Sequence, residues 1–456
     1  MTDRLHIAVV GSGAAGLGAA WALSRRHRVA LYEAEPRPGG HCNTLQVAPN
    51  GQSLPVDTGF IVYNQRNYPN LTAWFRHLDV ATENSDMSFS VQAPGERVEW
   101  SGDNTATVFG QPSNLIRPRF IAMVRDILRF NRRAAADVAA DRVPTVSLGE
   151  YLAAGGYGDG FRRWYLLPMG AAIWSATLAE MERFPARTFL RFFHNHGLLT
   201  VNDRPQWRTV TGGSRTYVAR VLDLIGREAL HLGTPVQAIR RDPAGAEVID
   251  ANGGRRRFDH VVLACHADQA LALLAEPSAT ERVTLGDFKY QSNAAILHTD
   301  AGLMPRRKRL WASWNYRAEA AAAETERAPV ALTYWMNRLQ NLPRRHPVFV
   351  TLNPVTRPRD ETVIREIDYR HPLFDAGAVA AQDRLDAIQG ADRVWFCGSY
   401  HGYGFHEDAL TSGLRVAEAL GAIVPWRRAG RPRLPLADLA PPAPMPQPML
   451  AAAAGD

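Results

Sequence analysis

The run His6-Ile7-Ala8-Val9-Val10, followed by Gly11-Ser12-Gly13-Ala14-Ala15-Gly16, constrains this chain more than any other stretch. It has the length of a buried strand, and it stops at a glycine that permits a tight turn into a helix from Leu17 to Ser24. Gly13 lets backbone approach a pyrophosphate, and Gly16 lets the helix pack closely on the sheet. The free N–H groups and positive dipole end of that helix then face the phosphates. A second strand, Arg28 to Tyr32, leads to Glu33 and Ala34. A carboxylate at Glu33 stands at the spacing that accepts from a ribose hydroxyl, and it would repel a 2′-phosphate. The opening predicts an α/β, Rossmann-like dinucleotide site.

The 456 residues, 46% of them apolar, can fill two cores or one composite one. Cys42, Cys265 and Cys397 are far apart, lack a C-x-x-C partner and are odd in number, so neither a disulfide framework nor a structural zinc site is expected. The histidines show no metal-ligand spacing, and no metal is expected. No run reaches the roughly 18 apolar residues of a membrane helix, which predicts a cytoplasmic protein. The net charge is +7, carried almost wholly by arginine. Two segments concentrate it beside apolar residues: Arg117 to Arg133, with Phe120, Val124, Ile127 and Leu128 on one helical face, and Pro305 to Arg309 ahead of Trp311 and Trp314. Such segments suit a peripheral contact with anionic lipid on the inner face of a membrane, although an ordinary helix and a solvated loop explain them as well. No nucleic-acid-binding module accompanies the charge, so nucleic acid is not an expected partner. The oligomeric state is not legible.

No internal repeat is visible. The order of elements predicts a discontinuous nucleotide domain from residues 1–90, 205–280 and 385–425. A substrate domain would come from 91–204, with a helical insertion, and from 281–384. Residues 426–456 read as a flexible tail rich in proline and alanine.

Arg37-Pro38-Gly39-Gly40-His41 follows the ribose acid directly. This E-x-x-x-R-x-G-G run resembles the flavin-containing amine oxidase superfamily, which includes phytoene desaturases and protoporphyrinogen oxidases. The resemblance implies FAD as cofactor, with Gly39 and Gly40 along its pyrophosphate and ribityl chain. Val56-Asp57-Thr58-Gly59-Phe60-Ile61 resembles the segment under the isoalloxazine ring, and Gly233-Thr234-Pro235-Val236 the strand near the adenine. The strand ending at Ala264 completes the sheet. Val394 to Ser399, then Gly404-Phe405-His406-Glu407-Asp408-Ala409, looks like the C-terminal strand, glycine and helix whose N-terminus points at the flavin pyrimidine. After Gly398 the family usually has an acid; here Ser399 stands in that place.

The chain is similar, more than to true amine oxidases, to bacterial FAD-binding oxidoreductases associated with cyclopropane-type and furan fatty acid synthesis. That implies a fatty acyl phospholipid substrate and acyl desaturation. No second nucleotide turn follows another strand, so electrons are expected to come from the substrate rather than from NAD(P)H. The insertion is dense in large apolar residues, including Trp164, Tyr165, Ile173, Trp174, Phe184, Phe189, Phe192, Phe193 and Leu198; these serve either a core or an acyl tunnel. Desaturation needs hydride transfer to flavin N5 and a base on the neighbouring carbon. His406 and Glu407 are the first candidates for catalysis, followed by Asn293 and Tyr63. Asn293 sits where amine oxidases commonly carry a lysine, with Lys289 four residues away. Amine oxidation, a redox-neutral double-bond isomerase and a non-enzymatic flavin- or lipid-binding protein remain as alternatives.

Overall fold

A computed structural model of the chain describes residues 4–48, 51–200, 204–242, 244–318 and 330–427. The tail expected at 426–456 falls almost wholly outside them. Three separated stretches of sequence build a five-stranded parallel sheet. Its order is Leu230–His231, Arg28–Tyr32, His6–Val10, His260–Leu263 and Val394–Phe396. Ile7, Val9, Val262 and Leu263 are buried, as strands covered on both faces require. The strand entering at Val236 does not join this sheet. Val236–Asp242 instead opens a three-stranded antiparallel sheet with Gly245–Asp250 and Arg255–Phe258.

The first helix, Ala14–Ser24, is buried along its length from Ala14 to Leu23, which explains its almost polar-free composition. Against it lies the helix His406–Ala419. The two meet through glycine notches: a Cβ on Gly413 would run into the Ala15 carbonyl oxygen, and one on Gly18 would lie 2.5 Å from a methyl of Leu410.

A seven-stranded sheet forms the second body, in the order Val363–Leu373, Lys289–His298, Phe349–Leu352, Leu332–Trp335, Trp314–Arg317, Phe89–Ala93 and Val98–Ser101. Its pairs are antiparallel except that Trp314–Arg317 runs parallel to Phe89–Ala93. Helices between residues 118 and 195 pack on it through one large apolar cluster containing Phe120, Phe130, Phe161, Phe189 and Phe193. Asp57 ties the two bodies together. Its carboxylate accepts from Ser214 N at 3.0 Å and Ser214 Oγ at 2.8 Å, from Thr44 Oγ1 at 2.5 Å, and from Gln340 Nε2 at 2.9 Å. Burial pushes its pKa up to about 6.

Candidate active site

Between the two bodies lies a cavity of about 530 Å³, within the range of cofactor and substrate sites. One end is the glycine turn. Gly11 adopts φ +103°, and its N–H donates to Tyr32 O at 2.8 Å. A Cβ there would sit 2.8 Å from Ala264 O, so the turn admits no side chain. Gly13 caps the helix with φ −66° and no side-chain cap, which leaves the first amides open to a ligand. A Cβ on Gly13 would meet nothing within 4 Å. Glu33 accepts from Ser12 N at 2.9 Å and Ser12 Oγ at 2.5 Å, and Gly39 N donates to Ser12 Oγ at 3.0 Å. Arg37 Nη1 donates to Gly40 O at 2.8 Å. One hydroxyl thus links the ribose acid, the turn and the Gly39-Gly40 segment.

Of the residues expected at the cofactor, Gly11, Ser12, Gly13, Ala14, Ala15, Glu33, Gly40, His41, Thr58, Gly59, Phe60, Ile61, Ala264, Gly398, Ser399, Phe405, His406 and Ala409 line this cavity. Gly16, Ala34, Arg37, Gly39, Val236 and Glu407 do not. Gly16 faces the sheet, where a Cβ would overlap the Gly11 carbonyl oxygen. Arg37 and Gly39 shape the loop from behind. Val236 follows a turn held on the acid segment, in which Thr234 N donates to Glu33 O at 2.9 Å.

The middle of the cavity is walled by rings. His406 lies flat on Phe60, centroids 3.9 Å apart, and its Nε2 shares a hydrogen bond of 2.6 Å with the Tyr217 hydroxyl. Burial drives its pKa down to about 3, so the ring stays neutral. His41 stacks on Tyr369 at 4.8 Å, and burial holds its pKa well below the usual histidine range.

Three of the catalytic candidates, Glu407, Tyr63 and Asn293, do not line the cavity. Glu407 turns away from the cavity: its carboxylate accepts from Asn70 N, Asn70 Nδ2 and Leu71 N, each at 2.9 Å. It thereby caps the helix Pro69–His77. Burial pushes its pKa up to about 7. Tyr63 is core, edge-on to Phe75 at 5.3 Å. Asn293 is fully buried and reaches the cavity through a neighbour. Ala294 N donates to Asn353 Oδ1 at 3.1 Å, which fixes that amide's orientation. Asn353 Nδ2 then donates to Asn293 Oδ1 at 2.8 Å, and Asn293 Nδ2 donates to His371 Nδ1 at 3.2 Å. Because a backbone N–H starts the chain, each following role is determined, and the proton of neutral His371 sits on Nε2. Burial lowers the His371 pKa to about 4. His371 lines the cavity, and sequence reasoning missed it. His196 and His266 line the cavity as well.

Beyond the rings the wall is apolar. Tyr165, Ile173, Trp174, Phe192 and Leu198 of the insertion face the cavity, together with Trp100, Trp207 and Trp314. Trp164, Phe184, Phe189 and Phe193 are buried in the core instead. Glu33 is the one carboxylate among the described lining residues, whereas Arg204 and Arg370 both line it. Among the described residues no cluster of His, Cys, Asp and Glu could hold a metal, and no helix is long and apolar enough to cross a membrane.

The cavity fits an extended dinucleotide carrying a ring system. Its glycine end has an uncapped helix terminus and room above Gly13. Its walls carry buried polar atoms without protein partners at His41 Nε2, His266 Nδ1, Trp174 Nε1 and Tyr400 Oη, which a bound ligand would satisfy. Comparison with known proteins agrees. No curated protein matches the chain by sequence. Its fold is similar to that of a CLA-producing fatty acid isomerase from P. acnes, at 13% identity and TM-score 0.66, covering 92% of this chain and 100% of that one. It is also similar to cyclohexylamine oxidase from Brevibacterium oxydans, at 15% identity and TM-score 0.65, covering 92% and 99%. A third similar fold is reduced UDP-galactopyranose mutase, at 15% identity and TM-score 0.62, covering 91% and 95%. The sequence profile of the flavin-containing amine oxidoreductases matches residues 14–308. The chain belongs to that family and is an FAD-dependent oxidoreductase.

Proposed function

We propose that the protein desaturates an unsaturated or methyl-branched fatty acyl chain of membrane phospholipid. The observation that carries this reading is the character of the cavity wall. From the glycine turn it runs into tryptophan, phenylalanine, leucine and isoleucine, and no carboxylate other than Glu33 faces it among the described residues. An ammonium substrate would be left without a counter-charge there, whereas an acyl chain gains from every apolar contact. Arg204 on the wall suits the anionic end of a lipid. When bound, FAD supplies the two-electron acceptor for hydride.

The chain's own residues then divide the remaining work. Gly11 to Ala15, Glu33 and Gly40 would hold the dinucleotide. The apolar wall excludes water and aligns the acyl carbon. His371 presents an Nε2–H donor, and His41 presents an Nε2 without a protein partner; the latter is our candidate for taking the proton from the neighbouring carbon. The similar fold of a fatty acid isomerase supports a second reading, movement of a double bond without net oxidation. Anaerobic incubation of the FAD-loaded protein with a phospholipid carrying an unsaturated chain separates the two. Desaturation bleaches the visible flavin band stoichiometrically, and isomerisation shifts the double bond with no lasting bleach. Bleaching by simple amines and by no lipid would overturn both.

A further inference from the structure

Two basic segments that are far apart in sequence meet on one face of the molecule. The first begins at Leu115 and Ile116, 58% and 86% exposed, and continues into the helix Pro118–Ala139. On its outer side Ile121 (44% exposed), Arg125, Leu128 (51% exposed) and Arg132 follow one another at helical spacing. The second segment is Arg306-Arg307-Lys308-Arg309. Glu99 binds both. Its carbonyl accepts from Asn114 Nδ2 at 3.0 Å, beside Leu115, and its carboxylate accepts from Arg307 Nη1 at 2.6 Å. Arg309 donates to Gly110 O. Arg306 and Lys308 stay exposed, while Trp311 is turned inward on Pro305 O at 2.8 Å.

We propose that this face seats the protein on an anionic phospholipid bilayer. An open groove of about 360 Å³ runs among Leu115, Ile116, Pro118, Ile121, Ala122 and Arg125. Large apolar side chains this exposed, alternating with arginine on one helix face, match the boundary where acyl chains meet phosphates. Arg119, on another side of the helix, is paired with Glu96 and Asp159, but among the described residues no exposed carboxylate pairs with the arginines of the outward stripe. The nearest carboxylate to Arg125, Asp126, is buried at 3.9 Å and shared with Arg129. Among the described residues Arg132, Arg306 and Lys308 make no ion pair. A second copy of the chain would bring like charge against like, and a neutral surface would leave the cations uncompensated. The face also backs onto the cavity, since Trp100, the residue after Glu99, lines it.

The test uses FAD-loaded protein and vesicles with saturated chains, which offer no double bond and so keep adhesion separate from the proposed chemistry. The protein should sediment with vesicles of phosphatidylcholine and phosphatidylglycerol, release at high salt, and ignore phosphatidylcholine alone. Arg125→Gln with Arg132→Gln should weaken partitioning about 25-fold, about fivefold for each arginine. Leu115→Ser with Ile116→Ser should weaken it about tenfold or more. Unchanged flavin absorption and melting temperature would show that both variants are folded. The proposal is overturned if the wild-type protein does not sediment with anionic vesicles. It is equally overturned if both double variants bind as wild type does, or if the protein is a dimer that Ile116→Ser converts to monomer.

Discussion

Gly13 and Gly16 are three residues apart, and the structure gives them separable jobs that a pair of alanine substitutions should resolve. At Gly13 the backbone already has φ −66°, which alanine adopts freely, and the new methyl would meet no protein atom within 4 Å. Losing glycine as helix cap costs about 1 kcal/mol at most, and restricting the unfolded chain returns about 0.4–1 kcal/mol. The stability of the apoprotein should therefore stay within about 1 kcal/mol of wild type. The methyl nevertheless projects into the space above the uncapped amides of Ala14 and Ala15. If a pyrophosphate must retreat and give up two charge-assisted hydrogen bonds, each about 1.5–3 kcal/mol, FAD affinity falls by about two to four orders of magnitude. At Gly16 the methyl overlaps the Gly11 carbonyl oxygen and sits 3.2 Å from Ala264 Cβ, so helix and strand must part at a cost of about 1–3 kcal/mol or more. Urea denaturation of the apoprotein and calorimetric titration with FAD measure the two quantities independently. Gly13→Ala with wild-type affinity, or with the instability of Gly16→Ala, would refute the assignment of the loop.

Replacing Asn293 or Asn353 by alanine releases the His371 tautomer, so turnover should drop about tenfold while FAD content is kept; unchanged turnover removes His371 from the chemistry. Glu407→Gln should destabilise the protein by about 2 kcal/mol through the start of the helix Pro69–His77, read as a shift in urea midpoint. Lost flavin reduction at unchanged stability would return Glu407 to the active site. The pH dependence of stability sets buried histidines against buried acids. His196, His266, His298 and His371 are lowered to about 4, and His401 and His406 to about 3. The unfolded chain therefore binds more protons at these sites between about pH 4 and 6.5. Their contribution to stability is complete above 6.5 and is lost as pH falls. Asp57, raised to about 6, and Glu407 and Asp408, raised to about 7, act in the opposite sense, with stability lost as pH rises through those values. Six histidines against three acids give an apoprotein melting temperature that climbs from pH 5 to 6.5. A flat or falling curve in differential scanning calorimetry would show that these rings are solvated.

The dinucleotide turn was legible because its pattern is local: strand, glycine turn, helix and acid follow one another, with Glu33 just after the next strand, even though the atom that excludes a side chain at Gly11 belongs to distant Ala264. Roles set by distant partners were not legible. Nothing near Glu407 in sequence announces that its carboxylate caps a helix beginning at Pro69. His371 gains its meaning from Asn293 and Asn353, which adjoining antiparallel strands bring beside it. The aromatic insertion shows a different limit, because composition cannot separate Phe192, which faces the cavity, from Phe193, which faces the core. The helix turns between successive residues, so neighbours with the same side chain serve different ends. Arg117 to Arg133 and Arg306 to Arg309 were each visible as basic runs, but their meeting at Glu99 belongs to the fold.

The notch that seats Gly413 against Ala15 has a consequence for how the protein is made. A ribosome emits the glycine turn well before two neighbours that complete its surroundings, the strand Val394–Phe396 and the helix His406–Ala419, which come some 380 residues later. Until then the first helix lacks its packing partner and the sheet lacks an edge. Flavin capture is therefore a late event in biosynthesis, and a truncated chain that stops short of Gly413 should emerge colourless.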